Sequence, residues 1–199
     1  MTTETKDRIA LIDLDGTAAD YDTEMQAQMR LITAPGEDLY THRPVLDEDE
    51  PAHLKARRKL IQRQPGFWRK LKPIPMGFEV IEDMRQLKFG LHVLTKGPTS
   101  TPNAWSEKVE WSKEFLPDAA ITISEDKSLV YGRVLFDDWP SYFVKWIAVR
   151  PRGLVICLAH PWNEEFSRGG TKEHSNIFRY DGANRAELRV RLAIAYDRD

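Results

Sequence analysis

Ile9-Ala10-Leu11-Ile12-Asp13-Leu14-Asp15-Gly16-Thr17 runs from an apolar segment into two carboxylates two residues apart, followed by a glycine that permits a sharp turn. The apolar half reads as a strand, and the carboxylates stand where that strand runs out. The same letters admit a calcium-loop reading, with Glu24 twelve positions along when Asp13 is counted first. An EF-hand needs glycine at the sixth place, where Ala18 stands, and a helix before the loop, so the calcium reading is discarded.

Four further apolar runs follow, Leu91 to Thr95, Ala120 to Ser124, Val134 to Phe136 and Gly153 to Leu158. Helical patterns lie between and after them at about Met76 to Leu87, Asn103 to Phe115, Ser141 to Val149 and Asn184 to Tyr196. The alternation predicts an α/β core, a mainly parallel sheet of about five strands with helices on both faces. Between the first strand and the second lie roughly seventy residues, far beyond a normal crossover. Two helical segments, Tyr21 to Leu31 and Asp49 to Arg63, are separated there by Pro35, Gly36 and Pro44. We read residues 21–69 as a small helical cap inserted after the first strand, and residues 1–20 and 70–199 as the core. The basic run Lys55, Arg57, Arg58 and Lys59 in the cap is expected to be a solvated helix face.

In open α/β sheets, ligands bind at the carboxyl ends of the strands. The first such end carries Asp13 and Asp15, the second Thr95 followed by Lys96-Gly97-Pro98, the third Lys127, and the fourth Asp137-Asp138. Each alone is a weak signal, because an aspartate at a strand end is often a cap or turn residue. Four carboxylates converging on one edge would repel unless a cation sits among them, and an all-oxygen site suits Mg²⁺. A phosphate completes the charge balance.

These elements, in this order, resemble the four motifs of the haloacid dehalogenase (HAD) superfamily. Within it the chain is similar to the 5'(3')-deoxyribonucleotidase family. That similarity runs through Ala19-Asp20-Tyr21, Pro65-Gly66-Phe67-Trp68 with Pro73-Ile74-Pro75, Glu107 to Trp111, Asp126-Lys127-Ser128 with Asp137-Asp138, and His160-Pro161-Trp162-Asn163. The resemblance implies a HAD-like doubly wound fold and an aspartyl-phosphate mechanism with Asp13 as nucleophile and Asp15 as general acid and base. It implies Mg²⁺ held by Asp13, the backbone carbonyl of Asp15 and Asp138, with Asp137 supporting, and phosphoryl oxygens gripped by Thr95 and Lys127. Tyr21, Phe67 and Trp68 would flank the sugar and base of a nucleoside monophosphate.

Three departures from the family pattern stand out. Lys96 replaces a small hydroxyl residue and is placed with the phosphate-binding groups, Trp139 follows the aspartate pair and is placed with the substrate-binding groups, and the tail from Glu164 onward shows little likeness. Carbon–halogen cleavage does not need Asp15, so phosphate chemistry is preferred. A phosphatase for another small phosphoester, such as a sugar phosphate, and a catalytically dead nucleotide-binding relative are the alternatives.

A formal net charge of -2 offers no general attraction to polymeric nucleic acid. The amino terminus MTTETKDR, which has acidic residues and no apolar stretch, and the lack of a long apolar run elsewhere lead us to expect a cytoplasmic protein without membrane contact. Cys157 lies in the run Leu154 to Ala159 and is read as a small hydrophobe. His42, His53, His92, His160 and His174 lack metal-ligand spacing, and a turn role is expected for His160. A homodimer is left open.

Overall fold

The computed structural model describes residues 8–42, 44, 49–166 and 175–198. The amino-terminal stretch MTTETKDR, apart from Arg8, and His174 lie outside those residues. Six strands form one parallel sheet: β1 (Ile9–Ile12), β2 (Gly90–Thr95), β3 (Ala120–Ile123), β4 (Val134–Phe136), β5 (Leu154–Leu158) and β6 (Ile177–Tyr180), in the order β3-β2-β1-β4-β5-β6. Among the described residues six α-helices accompany them: α1 (Tyr21–Leu31), α2 (Ala52–Gln62), α3 (Pro75–Gln86), α4 (Asn103–Phe115), α5 (Pro140–Ala148) and α6 (Arg185–Asp197). The α/β reading holds, with one correction: the sheet has six strands rather than about five. The missed β6 is a four-residue edge strand interrupted by Arg179, whose guanidinium donates to Asn163 Oδ1 at 2.9 Å and His160 O at 3.2 Å. A polar residue with a buried task hid the strand pattern.

Successive strand residues point to opposite faces, and the sheet feeds two cores. Ala10, Ile12, Val93, Phe136, Ile156 and Tyr180 join one with Val80 and Met84 of α3, Trp111 of α4 and Leu188 and Leu192 of α6. Leu11, Leu94, Leu135 and Cys157 join the other with Phe143 and Trp146 of α5. Cys157 is fully buried, and burial pushes its thiol well up, as expected of a core residue. Proline stands in the first turn of α3 and α5, where its missing N–H costs nothing. Among the described residues no helix is long and apolar enough to cross a membrane.

With β1 in the middle of the sheet, the chain turns to opposite sides after β3, and the carboxyl ends of β1 and β4 border the crevice where such folds bind ligands. The segment carrying α1 and α2 leaves and rejoins the core at adjacent points: Asp20 N donates to Lys72 O and Ile74 N to Ala18 O, each at 2.8 Å. The two helices pack on each other, and a buried bidentate pair, Arg58 on Glu50 at 2.6 and 2.7 Å, ties α2 to the chain that enters it. At the foot of the segment α3 presses on the loop after β1 so closely that a Cβ on Gly77 would overlap Thr17 O.

Candidate active site

β1 ends by delivering Asp13, whose N–H donates to Phe136 O of the neighbouring strand at 2.9 Å. That pairing places it beside the Asp137-Asp138 sequence that follows β4, and all three carboxylates are buried. Lys127, in a short 3-10 turn after β3, reaches across to Asp13 Oδ1 at 2.9 Å and Asp137 Oδ2 at 2.6 Å. Thr17 fixes Asp138 reciprocally: its hydroxyl donates to Oδ1 at 2.7 Å and accepts from the Asp138 N–H at 3.1 Å. The turn between the first two motif carboxylates and Thr17 needs glycine, because Gly16 has φ 75° and an added Cβ would lie 2.6 Å from Asp138 Oδ2.

One carboxylate oxygen from each of Asp13, Asp137 and Asp138 lies within 4.8 Å of the others. Burial and the charge of Asp13, opposed by Lys127, push Asp137 up to about 6. Burial and the Asp137 and Asp13 charges push Asp138 well above the carboxylate range. Such crowding is what a cation relieves, and the all-oxygen donor set suits a hard divalent ion, so these residues fit a metal. Asp15 is raised chiefly by burial against the pull of Lys108, and its buried Oδ1 has no hydrogen-bond partner.

Several residues here escaped the sequence reading. Lys108 of α4 donates to Asp15 Oδ2 at 2.6 Å, Lys96 O at 2.7 Å and Thr95 Oγ1 at 3.1 Å. The signal available was helical phase, since Lys108 shares the stripe of Ala104, Trp111 and Ser112, which is otherwise buried. Asp22, in the first turn of α1, faces the same space and is pushed up to about 7 by burial and by the charges of Asp20 and Asp15. His160 is more than a turn residue: its Nε2–H donates to Gly16 O at 2.6 Å and its ring stacks on Trp162 at 4.2 Å. Trp162 Nε1 in turn donates to Asp138 Oδ2 at 3.1 Å, and Asn163 Nδ2 donates to Asp138 O at 2.9 Å. The segment after β5 thus braces the loops after β1 and β4.

The carboxylates open onto a cavity of about 470 Å³. Asp13, Asp15 and Asp138 form its floor, Lys96 and Trp139 line one side, and Tyr21 and Trp68 line the side formed by the inserted helices. Thr95 meets this group through Lys108, and Lys96 lies over the Tyr142 ring at 5.6 Å without touching the carboxylates. Phe67 does not line the cavity; it is fully buried, edge-on to Tyr21 and Trp68 at 5.8 and 5.1 Å. The basic run is corrected: Arg58 is buried on Glu50, Lys55, Arg58 and Lys59 border the cavity, and Arg57 pairs with Glu37 at 2.7 Å.

Comparison with solved structures finds a HAD family hydrolase from Deinococcus radiodurans R1, described with bound phosphate and sodium, at a TM-score of 0.58 and 14% identity. The match covers 96% of this chain and 97% of that one and establishes the HAD fold. A Bordetella bronchiseptica protein described as "Putative 5'(3')-deoxyribonucleotidase" is 30% identical over 121 residues, 59% of this chain and 63% of its own length. A Staphylococcus aureus protein of the same description is 30% identical over 83 residues, 40% of this chain and 45% of its own length. The chain thus spans less than two thirds of the length of either relative. Residues 7–175 match the family described as "5' nucleotidase, deoxy (Pyrimidine), cytosolic type C protein", and this chain belongs to that family.

Proposed function

We propose that the protein is a Mg²⁺-dependent phosphatase that hydrolyses nucleoside monophosphates to nucleoside and phosphate through an aspartyl-phosphate on Asp13. The observation that carries the reading is the buried lysine-held carboxylate: Asp13 at the mouth of β1, 2.9 Å from Lys127, facing a cavity whose other wall offers aromatic rings. The Asp13 carboxylate attacks phosphorus as the ester P–O bond breaks, and Asp15 protonates the departing nucleoside oxygen. Asp15 then takes a proton from the water that attacks phosphorus and breaks the bond to Asp13. Its raised pKa favours the protonated form that the first step needs.

Thr95 and Lys127 hold the phosphoryl oxygens, with Lys96 supplying charge from the cavity wall. Donors fixed before the reaction favour the transition state over the ground state. Asp13, Asp138 and the Asp15 backbone carbonyl would hold Mg²⁺, with Asp137 behind them. When bound, the ion neutralises phosphoryl charge and orients the ester. Residues 21–69 act as the cap, Tyr21, Trp68 and Trp139 flank the sugar and base, and Phe67 backs the two cap rings rather than touching substrate.

Phosphate release from deoxyribonucleoside and ribonucleoside monophosphates and common sugar phosphates, with Mg²⁺ or with chelator, tests this. Nucleotide turnover that needs both Mg²⁺ and Asp13 is expected, and Asp13→Asn should lower it by at least about a thousandfold. Turnover of sugar phosphates alone would sink the substrate, and no turnover of either class would sink the enzyme.

A further inference from the structure

Two buried lysines reach the strand-end edge, and they are engaged differently. An ammonium carries three donors. Lys127 directs two of them to the carboxylates Asp13 and Asp137. Lys108 directs all three within the chain, to Asp15 Oδ2, Lys96 O and Thr95 Oγ1. It has no donor left for a substrate phosphate, although it is as buried as Lys127.

The surroundings of Lys108 are equally specified. Trp68 lies over its ammonium at 4.6 Å, a cation–π contact. Trp68 is held in turn by the residue before Lys108. Glu107 Oε2 accepts from the Trp68 N–H at 3.0 Å and Oε1 from the Gly66 N–H at 2.7 Å. One turn of α4 therefore fastens both the acid carboxylate and the aromatic roof above it. With Oδ2 pinned, Oδ1 of Asp15 is the buried oxygen left without a partner.

We propose that Lys108 is a positioning residue that pins Asp15 through Oδ2 and so fixes the orientation in which its carboxyl group transfers a proton, while Glu107 locks the Trp68 roof over the pair. The inference rests on the acid and base role given to Asp15 above. Lys108 acts through Asp15, so in the phosphorylation step its loss harms only those substrates whose leaving group needs a proton. A nucleoside alkoxide does; p-nitrophenolate departs unaided.

The test compares kcat/KM, which reports the phosphorylation step, for a deoxyribonucleoside 5'-monophosphate and for p-nitrophenyl phosphate. Lys108→Met, Lys108→Gln, Lys108→Arg, Asp15→Asn and the Asp15→Asn/Lys108→Met double variant are measured with saturating Mg²⁺, each after its thermal midpoint shows a folded protein. Lys108→Gln keeps donors without charge and serves if the methionine variant does not fold. Lys108→Met should lower the nucleotide reaction by roughly a hundredfold and the aryl reaction by less than about fivefold. Lys108→Arg should recover part of the loss, and the double variant should be no slower than Asp15→Asn alone.

Equal losses on both substrates in the Lys108 variants, or a double variant slower than Asp15→Asn by the full Lys108 factor, overturn the inference alone. If Asp15→Asn itself fails to separate the two substrates, the acid role of Asp15 falls and the inference falls with it.

Discussion

The strand-end edge and the inserted helices draw on the same residue types, carboxylates, cations and aromatic rings, yet hold them differently. At the edge, Asp13, Lys127, Asp137 and Asp138 are at most 5% exposed and every one is fixed by bonds to groups that follow other strands. In the insertion, Lys59 is exposed at the cavity mouth, and Tyr21 meets its neighbours through ring faces and one bond from Gln62 at 2.8 Å. Groups on parallel strands inherit their spacing from the ladder. Groups on two packed helices can shift with the helices, which suits discrimination among leaving groups better than bond making.

The contrast is broken most readily at Lys127. Replacing it with methionine leaves Asp13 and Asp137 buried without their common cation, and kcat should fall by roughly a hundred- to a thousandfold on every phosphoester alike. A loss confined to nucleotides would place Lys127 in substrate selection and erase the distinction between the two regions. A smaller effect is expected from Tyr21→Leu, which removes a ring and a hydroxyl from the cavity wall. KM for nucleoside monophosphates should rise roughly tenfold, the scale of one lost base stack, while kcat and the turnover of small alkyl phosphates stay within about twofold. A kcat collapse in this variant would mean that the Tyr21 ring orders the strand-end carboxylates.

How much of each region is legible in the sequence follows from the same difference. The strand ends are read locally: a buried parallel strand writes a continuous apolar run, and the first polar residue after it lies at the binding edge, so Asp13, Thr95 and Asp137 announce themselves. Lys108 and Asp22 have no such frame. Both are charged residues in helices, where charge is ordinarily solvent-facing, and their tasks arise only when α4 packs on the sheet and α1 borders the cavity at its strand ends. His160 and Trp162 brace Gly16 and Asp138 across more than twenty residues of chain or over a hundred, beyond any sequence window. Phe67 shows the converse limit: an aromatic pair in sequence puts one ring on the cavity and the other behind it.

The smallest effect sharpens the comparison from the side of stability. Asp22 belongs to the insertion by sequence but looks into the carboxylate floor, and burial with the charges of Asp20 and Asp15 pushes it up to about 7 from an ordinary 3.8. This reverses the usual carboxylate case. Between those two values the folded protein binds a proton that the unfolded chain has released, so stability contributed by the protonated form is present at low pH and falls as pH rises through the interval. Asp22→Asn removes that dependence without changing the shape of the side chain. In chelator, the variant and the parent should unfold at the same temperature near pH 4, and the variant should be higher by roughly 3–6 °C at pH 8, with the gap opening between. A gap already present at pH 4 would assign the gain to packing or hydrogen bonding. No gap at any pH would assign the falling stability to Asp137 and Asp138, and would leave Asp22 charged in a cavity wall that the insertion and the core share.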